Sequence, residues 1–280
     1  MKVQVGDVRI FFDVEGLKLR PDGDKMREVP SVVLLHGGPG FDHSGYKPEF
    51  SQLTDVAQVV YYDHRGNGRS DYGWESRWNL EQWGDDVRAF CETLGIERPI
   101  VVGQSFGGMV AMAYATRHPE HPGKLVLSST AARITFERPL AEFERLGGLE
   151  AREAAERFFG NPGPDTIGDY RRLCFPLYTR RPLPEEWMKR TVMNEGLTAA
   201  FFSGESKTFN FLPQLGRIRC PTLVMAGDED PITPLADSQD IVNALAPGVG
   251  KLVRFRNAGH GVYRDDPGAF FKSLREFILF

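Results

Sequence analysis

The sequence predicts an α/β fold, with a mostly parallel eight-stranded sheet, helices on both of its faces and an inserted helical cap. Three observations lead to this prediction. Short apolar runs alternate with helical patterns along most of the 280 residues, as in parallel sheets covered on both faces. The first residues alternate apolar and polar side chains. Between about 132 and 214 the apolar runs stop, and helical patterns rich in Arg and Glu replace them.

The elements follow in order along the chain. Residues 1–16 alternate around a Gly6-Asp7 turn, which predicts a β-hairpin at the edge of the sheet. Six further strands are expected near residues 31–35, 57–62, 99–103, 124–128, 221–226 and 251–256. Helical patterns fall near residues 80–94, 106–117, 235–245 and 267–278.

The helical insertion divides the chain into two predicted units. Residues 1–131 and 215–280 form the core domain, and residues 132–214 form a cap inserted between two of its strands. Most of the cap's many aromatic side chains are expected in its own core, and a minority in an apolar pocket of modest size. A cap of this kind excludes water from a site and selects what enters it.

Composition narrows the possible partners. The net charge is −4 and there is no basic cluster, so a nucleic-acid partner is not expected. The three cysteines, Cys91, Cys174 and Cys220, are widely spaced and suggest neither a disulfide framework nor a metal site. No basic leader precedes an apolar segment, and no apolar run approaches the ~20 residues that cross a bilayer. A soluble, cytoplasmic protein without a membrane partner is therefore expected.

A serine motif stands between a predicted strand and a predicted helix. Residues 103–107 read Gly-Gln-Ser-Phe-Gly, directly after the apolar run at 100–102. A nucleophilic serine on such a turn has a strained backbone, and small neighbours let the strand and the helix approach closely. An ordinary turn with a capping serine has the same letters, but the flanking elements favour Ser105 as a nucleophile.

A serine nucleophile needs a histidine as general base and an acid that orients the histidine. His260 follows the last predicted strand between two glycines, and the expected chain order is Ser, acid, His. The acid is Asp230 or Asp228, since both follow the strand at 221–226. Asp230 is preferred because it is closer to the next helix, for which Thr233 is the expected N-cap and Pro234 the first residue.

Acyl transfer also needs backbone donors for the developing oxyanion. One should be the amide of Phe106, the residue after the nucleophile. The other should come from the loop after an early strand, where residues 36–40 read His-Gly-Gly-Pro-Gly. Gly38 is the predicted second donor, although Gly-Pro pairs also mark plain tight turns.

With these parts in order, the chain resembles the α/β-hydrolase superfamily over nearly its full length, and more narrowly the proline iminopeptidase group of serine peptidases. The narrower likeness rests on residues 36–40 and on Asp-His-Arg-Gly-Asn-Gly-Arg-Ser at 63–70. The second segment is expected to be structural, with Asp63 and Arg65 able to pair. The resemblance implies an α/β-hydrolase fold, and the spacing from Gly227 to Asp230 and Pro234 is typical of the acid's loop in that superfamily.

The substrate is less closely specified. Iminopeptidases of this group hold the substrate's free amino terminus with carboxylates, because an unpaired charge in a closed pocket is costly. The residue after Asp230 is Pro231, which has no carboxylate. In the cap, Glu195 and Glu205 could take that role, or could simply be solvated surface residues.

The predicted function is therefore a serine hydrolase that forms an acyl-enzyme without a metal or an organic cofactor. The first reading is a proline iminopeptidase-like aminopeptidase acting on short peptides. The alternative is a carboxylesterase or lactonase with the same triad, and perhydrolysis by the same acyl-enzyme is compatible with either. A third reading is a non-hydrolytic receptor that binds a small ligand in the hydrolase fold.

Overall fold

A computed structural model describes residues 1–182 and 184–280. The strands are β1 (Lys2–Val5), β2 (Val8–Glu15), β3 (Leu19–Asp22), β4 (Lys25–Glu28), β5 (Ser31–Leu35), β6 (Gln58–Tyr62), β7 (Ile100–Gln104), β8 (Lys124–Ser128), β9 (Thr222–Gly227) and β10 (Gly250–Phe255). The α-helices are α1 (Leu80–Thr93), α2 (Phe106–Arg117), α3 (Glu137–Gly160), α4 (Pro164–Leu173), α5 (Glu185–Arg190), α6 (Glu195–Ser203), α7 (Leu235–Ala244), α8 (Val262–Asp265) and α9 (Pro267–Leu279). Short 3₁₀ segments cover His43–Tyr46, Glu49–Asp55, Glu75–Arg77, Phe175–Leu177, Glu205–Lys207 and Leu212–Arg217.

Eight strands form one sheet in the order β1-β2-β6-β5-β7-β8-β9-β10. The pairs β1-β2 and β2-β6 are antiparallel, and every other neighbouring pair is parallel. The predicted eight-stranded, mostly parallel sheet with an N-terminal edge hairpin is thus confirmed. Because Leu35 pairs with Gly103, and Gly103 with Leu127, the central parallel strands end side by side and bring the loops that follow them together.

Helices cover both faces of this sheet. One apolar cluster joins Val33 and Leu35 to Trp83 and Phe90 of α1 and to the buried residues of α2. The cluster on the other face joins Leu34 to Phe50 and to α9. All five residues of β5 are buried, since a central strand with helices on both sides has no solvent face. This is why the strands appear as continuous apolar runs in the sequence.

The second hairpin, β3-β4, was not predicted. It is a separate two-stranded ribbon, and only Arg20 among its eight residues is not fully exposed. A ribbon that buries nothing needs no apolar alternation, so the sequence carries no periodic signal there.

Helices α3 to α6 intervene between β8 and β9, in the segment where the sequence predicts an insertion. Gly148 interrupts α3 with φ +75°, a conformation that favours glycine. Buried side chains from these helices, including Phe143, Phe158 and Tyr170, form an apolar cluster of their own. These four helices are called the inserted helices below.

Candidate active site

Ser105 lies on the tight turn between β7 and α2. Its backbone has φ +56° and ψ −122°, a region that costs a non-glycine residue energy and is populated where the surroundings impose it. Two glycines allow the turn to be this tight. A Cβ on Gly107 would lie 1.9 Å from the Leu35 carbonyl oxygen, and one on Gly103 would lie 2.3 Å from the Gly107 oxygen. The glycines of the motif therefore permit the crossing of α2 over the sheet.

His260 and Asp230 form a buried pair. The Nδ1 atom of His260 lies 2.9 Å and 3.0 Å from the two carboxylate oxygens of Asp230, which is 1% exposed. The amides of Ile232 and Thr233 donate to Oδ1 of Asp230, and the Thr233 hydroxyl donates to Oδ2 at 2.8 Å. These donors hold the carboxylate in one orientation, facing the imidazole.

Two expectations for this loop are resolved by the contacts. Asp228 pairs with the guanidinium of Arg254 at 3.0 Å and 3.1 Å rather than with the imidazole. The expectation that Thr233 is a helix N-cap was wrong, because α7 begins at Leu235 with Pro234 as its N-cap. The Thr233 hydroxyl instead donates to Asp230.

A residue of the insertion also positions the histidine, and sequence reasoning missed it. The backbone amide of His260 donates to the Tyr178 carbonyl oxygen at 2.6 Å. The two rings pack edge to face with their centroids 5.3 Å apart. The local sequence does not indicate that Tyr178 contacts the histidine, because His260 lies more than 80 residues away. Only its aromatic character was a signal.

Ser105 and His260 line the same cavity, which has a volume of about 340 Å³. Its walls come from the loops at the ends of the parallel strands and from the inserted helices. The aromatic side chains that the insertion contributes to the lining are Phe136, Phe158, Phe159, Tyr170, Phe175, Tyr178, Trp187, Phe201 and Phe202. Most of the insertion's aromatic residues thus line the cavity, whereas a minority was expected. Several of them, such as Phe158 and Tyr170, belong both to the insertion's own apolar cluster and to the cavity wall.

The two predicted oxyanion donors also line this cavity. Gly38 has φ +131° and Phe106 is the first residue of α2, where a helix leaves its amides without intrahelical partners. Across the described chain, neither amide donates to a protein acceptor. Both are thus free to bind an oxygen atom of a ligand beside Ser105.

The remaining histidines near the cavity have structural contacts. His36 and His64 are buried against each other, with ring centroids 4.4 Å apart, and burial lowers the pKa of both. His43 Nδ1 lies 2.7 Å from Asp63. The expected Asp63–Arg65 pair was therefore wrong. Arg65 binds Asp86 through two nitrogens at 2.7 Å and 2.8 Å, because α1 places that carboxylate beside it.

The two predicted carboxylates of the insertion differ in position. Glu195 lines the cavity, but its carboxylate pairs with Arg171 at 2.6 Å and its side chain is 65% exposed. Glu205 does not line the cavity. It accepts the Leu80 amide at 2.9 Å at the start of α1, and burial raises the pKa of Glu205 to about 6. The structure thus brings only Glu195 to the site, since the turn after α6 directs Glu205 towards α1.

No group of three or more His, Cys, Asp and Glu side chains within residues 1–182 and 184–280 is arranged to hold a metal ion. Over the same residues, no helix has the length and apolar character needed to cross a membrane. The three cysteines are buried and unbonded to one another.

The sequence and the fold of this chain are similar to those of known proteins. A family model described as alpha/beta hydrolase fold matches residues 30–267. Proline iminopeptidase PfmaB of Pestalotiopsis fici is 26% identical over 96% of this chain and 98% of its own. Putative carbamate hydrolase RutD of Caulobacter sp. is 28% identical over 88% and 90%. The crystal structure of the enol-lactonase from Burkholderia xenovorans LB400 matches with a TM-score of 0.71 and 21% identity, covering 100% of both chains. The shared property is the fold, and the named substrates differ.

Proposed function

This chain belongs to the α/β-hydrolase-fold family of enzymes, and from that premise we propose that it cleaves small esters or lactones through an acyl-enzyme on Ser105. One observation carries the proposal: the histidine of the buried His260–Asp230 pair and a serine on a strained turn line the same cavity. Nucleophile, base and orienting acid are the parts that acyl transfer by serine requires.

The proposed mechanism uses these residues in sequence. His260 takes the proton of the Ser105 hydroxyl while Oγ forms a bond to the carbonyl carbon, and Asp230 stabilises the resulting imidazolium. The amides of Gly38 and Phe106 donate to the oxyanion. Collapse breaks the bond to the leaving alcohol, which receives the proton from His260. Water, deprotonated by the same histidine, then hydrolyses the acyl-enzyme and restores Ser105.

The inserted helices act as a cap in this proposal. They supply most of the apolar wall of the cavity, and closure of an apolar wall over the reacting atoms excludes bulk water. A cavity of about 340 Å³ accepts a substrate the size of a short acyl ester or a small lactone.

The charges that line the cavity favour a substrate without a cationic group. Its described lining includes two carboxylates, Asp42 and Glu195. Asp42 accepts from the hydroxyl and amide of Ser44, from the Val192 amide and from Arg69, and these contacts keep the pKa of Asp42 below its usual value despite burial. Glu195 pairs with Arg171. A substrate ammonium would therefore have to compete with an arginine for either carboxylate.

A second candidate is an iminopeptidase-like aminopeptidase. It is favoured by the His-Gly-Gly-Pro-Gly signature at 36–40, and by Glu195, which lines the cavity and would accept a substrate ammonium if Arg171 moved away. The carbamate, lactone and peptide substrates in the names of similar proteins are compatible with one mechanism acting on different carbonyl groups.

Two substrates separate these candidates. We expect p-nitrophenyl butyrate to be hydrolysed with multiple turnovers, and proline p-nitroanilide at least tenfold more slowly in kcat/KM. Faster cleavage of the anilide would reverse the choice and make Glu195 the first ammonium partner to test. Saturable binding of both compounds without turnover would instead favour the ligand-receptor reading.

The nucleophile is tested without reference to any substrate. A fluorophosphonate probe should label the wild-type protein once, and mass spectrometry should place the label on Ser105. Ser105→Ala should abolish both labelling and turnover, while Ser76→Ala, at an exposed serine, should leave both unchanged. Turnover that persists in folded Ser105→Ala protein would exclude the acyl-enzyme mechanism.

A further inference from the structure

The cavity holds hydrogen-bond donors that have no acceptor. Arg264 of α8 lines it, stacked with its Cζ 4.5 Å from the Trp187 ring centroid and 4.7 Å from the Tyr263 ring centroid. One of its nitrogens, Nη2, donates to the Gly45 carbonyl oxygen at 2.8 Å. No carboxylate of the described residues forms an ion pair with it. Its Nε and Nη1 groups are uncommitted there, in contrast to those of Arg65, which donate to Asp86 and Asp7.

The Trp187 indole gives a second, independent sign. Its Nε1 atom is buried and has no hydrogen-bond partner among the described residues, although a buried N–H normally has one. A Cβ built on Gly45 would lie 2.7 Å from this Nε1 and 3.3 Å from Nη2 of Arg264. The indole N–H and the guanidinium therefore meet beside Gly45, where the absence of a side chain leaves room.

We infer that this pair is a carboxylate subsite, so that the substrate of the proposed hydrolase carries a carboxylate besides the bond that is cleaved. A guanidinium presents a fork of donors that matches a carboxylate. The aromatic rings fix the position of the guanidinium and reduce its hydration. Binding of an anion is thereby strengthened, whereas a guanidinium without an anion has an unfavourable desolvation free energy. The unpaired indole N–H supplies one further donor.

The position of the subsite fits a substrate that spans the cavity. Arg264 lies four residues after His260, and a Cβ on Gly261 would be 3.9 Å from Nη1 of Arg264. The carboxylate would thus bind on the His260 side of the cavity, and the apolar part of the substrate would contact the aromatic wall. The inference rests on the proposed function only in taking this cavity as the substrate site.

Binding of a matched pair of probes tests the subsite without any turnover. We would measure Kd for 4-phenylbutyrate and for uncharged 4-phenylbutanamide by isothermal titration calorimetry. The wild-type protein should bind the carboxylate at least tenfold more tightly. Arg264→Gln should reduce that preference to about twofold or less, because it removes the charge-assisted hydrogen bonds that distinguish the carboxylate from the amide. Trp187→Phe, which keeps the stacking ring, should reduce the preference severalfold.

Arg219→Gln is the matched control, since it removes one positive charge at a side chain that is 71% exposed and outside the cavity. It should bind both probes like the wild type. Equal binding of the two probes by the wild type would overturn the inference. So would a carboxylate preference that survives in Arg264→Gln, because another group would then hold the anion. Neither result depends on ester hydrolysis, so failure of the proposed function is detected separately by the Ser105 experiments.

Discussion

At the scale of single residues, the conformation of Ser105 is maintained by several hydrogen bonds. Its amide donates to the Ser128 carbonyl at 3.0 Å, and its own carbonyl accepts from the Thr130 hydroxyl at 2.7 Å and from the Gly108 amide at 2.9 Å. A positive φ at a serine costs about 1–3 kcal/mol and persists where the surroundings fix it. Ser105 thereby lines the cavity in a fixed backbone conformation, as the proposed role of nucleophile requires.

The first prediction concerns the acid. Asp230→Asn should lower kcat for p-nitrophenyl butyrate by roughly 10³–10⁴-fold with little change in KM, since an amide can favour the wrong imidazole tautomer. The Asp230 side chain accepts three protein hydrogen bonds besides the histidine contact, so the stability of the variant is checked by its melting temperature.

Asp228→Asn is the paired control for the acid. Asp228 binds Arg254 at the surface, so its loss should change kcat less than threefold. A larger loss in Asp228→Asn than in Asp230→Asn would reverse the assignment of the acid.

At the scale of elements, the contact of α2 with the sheet depends on glycine. The Leu35 carbonyl lies where a Cβ of Gly107 would be. The Leu35 carbonyl belongs to the backbone and not to a flexible side chain. A methyl group on Gly107 can therefore be accommodated only if α2 moves away from β5. The G-x-S-x-G pattern is therefore also a requirement of the packing between α2 and β5.

We predict that Gly107→Ala destabilises the protein by about 3 kcal/mol or more through overpacking against the backbone. Gly168→Ala is the comparison, since Gly168 lies in α4 with nothing within 4 Å of its would-be Cβ. Alanine there should stabilise by up to about 1 kcal/mol through helix propensity. Urea denaturation measures both, and equal stability of the two variants would contradict the packing argument.

At the scale of the whole molecule, several polar contacts join the inserted segment to the core, and three of them involve Tyr178, Asn194 and Glu205. Tyr178 accepts the His260 amide, the Asn194 side chain donates to the Gly66 carbonyl, and Glu205 accepts the Leu80 amide. The first of these makes the position of the proposed base depend on the insertion. In the proposed function, substrate selection and positioning of the base would thus be coupled through the same segment.

The Glu205 contact predicts a pH dependence of stability. Burial raises the pKa of Glu205 from 4.5 to about 6, so the folded state favours the protonated carboxyl. The corresponding stabilisation is present below pH 4.5 and is lost as the pH rises through about 6. Glu205→Gln cannot titrate and still offers an oxygen to Leu80. Its melting temperature should therefore exceed that of the wild type above pH 6, by a margin that shrinks towards pH 4.5.

Glu150→Gln, at an exposed position of α3, controls for the change in net charge. Its melting temperature should follow that of the wild type across the same pH range. A margin for Glu205→Gln that is constant with pH would show that titration of this carboxyl does not contribute to stability.

Much of this architecture was open to sequence reasoning. The six predicted parallel strands and four core helices agree with the structure to within a residue or two at their ends. The signal is strongest for central strands such as β5, which are buried on both faces and therefore apolar throughout. The motif around Ser105 and the order of Ser105, Asp230 and His260 were visible because turns and strand ends have local signatures. Their catalytic roles stay predictions, to be tested by the variants above.

Other features depend on contacts between residues far apart in the chain, and only the tertiary structure decided them. Asp230 rather than Asp228 meets His260, Glu205 turns away from the cavity to α1, and Arg264 meets Trp187. None of these pairings produces a periodic pattern in the sequence, because each depends on one long-range contact and not on repeated burial along an element. The sequence by itself determined the sheet, the serine turn and the class of chemistry, because local patterning suffices for these. The packing of the inserted helices against the core decided which charged side chains line the cavity, because it places Arg171 and Glu195 in the lining and Glu205 outside it.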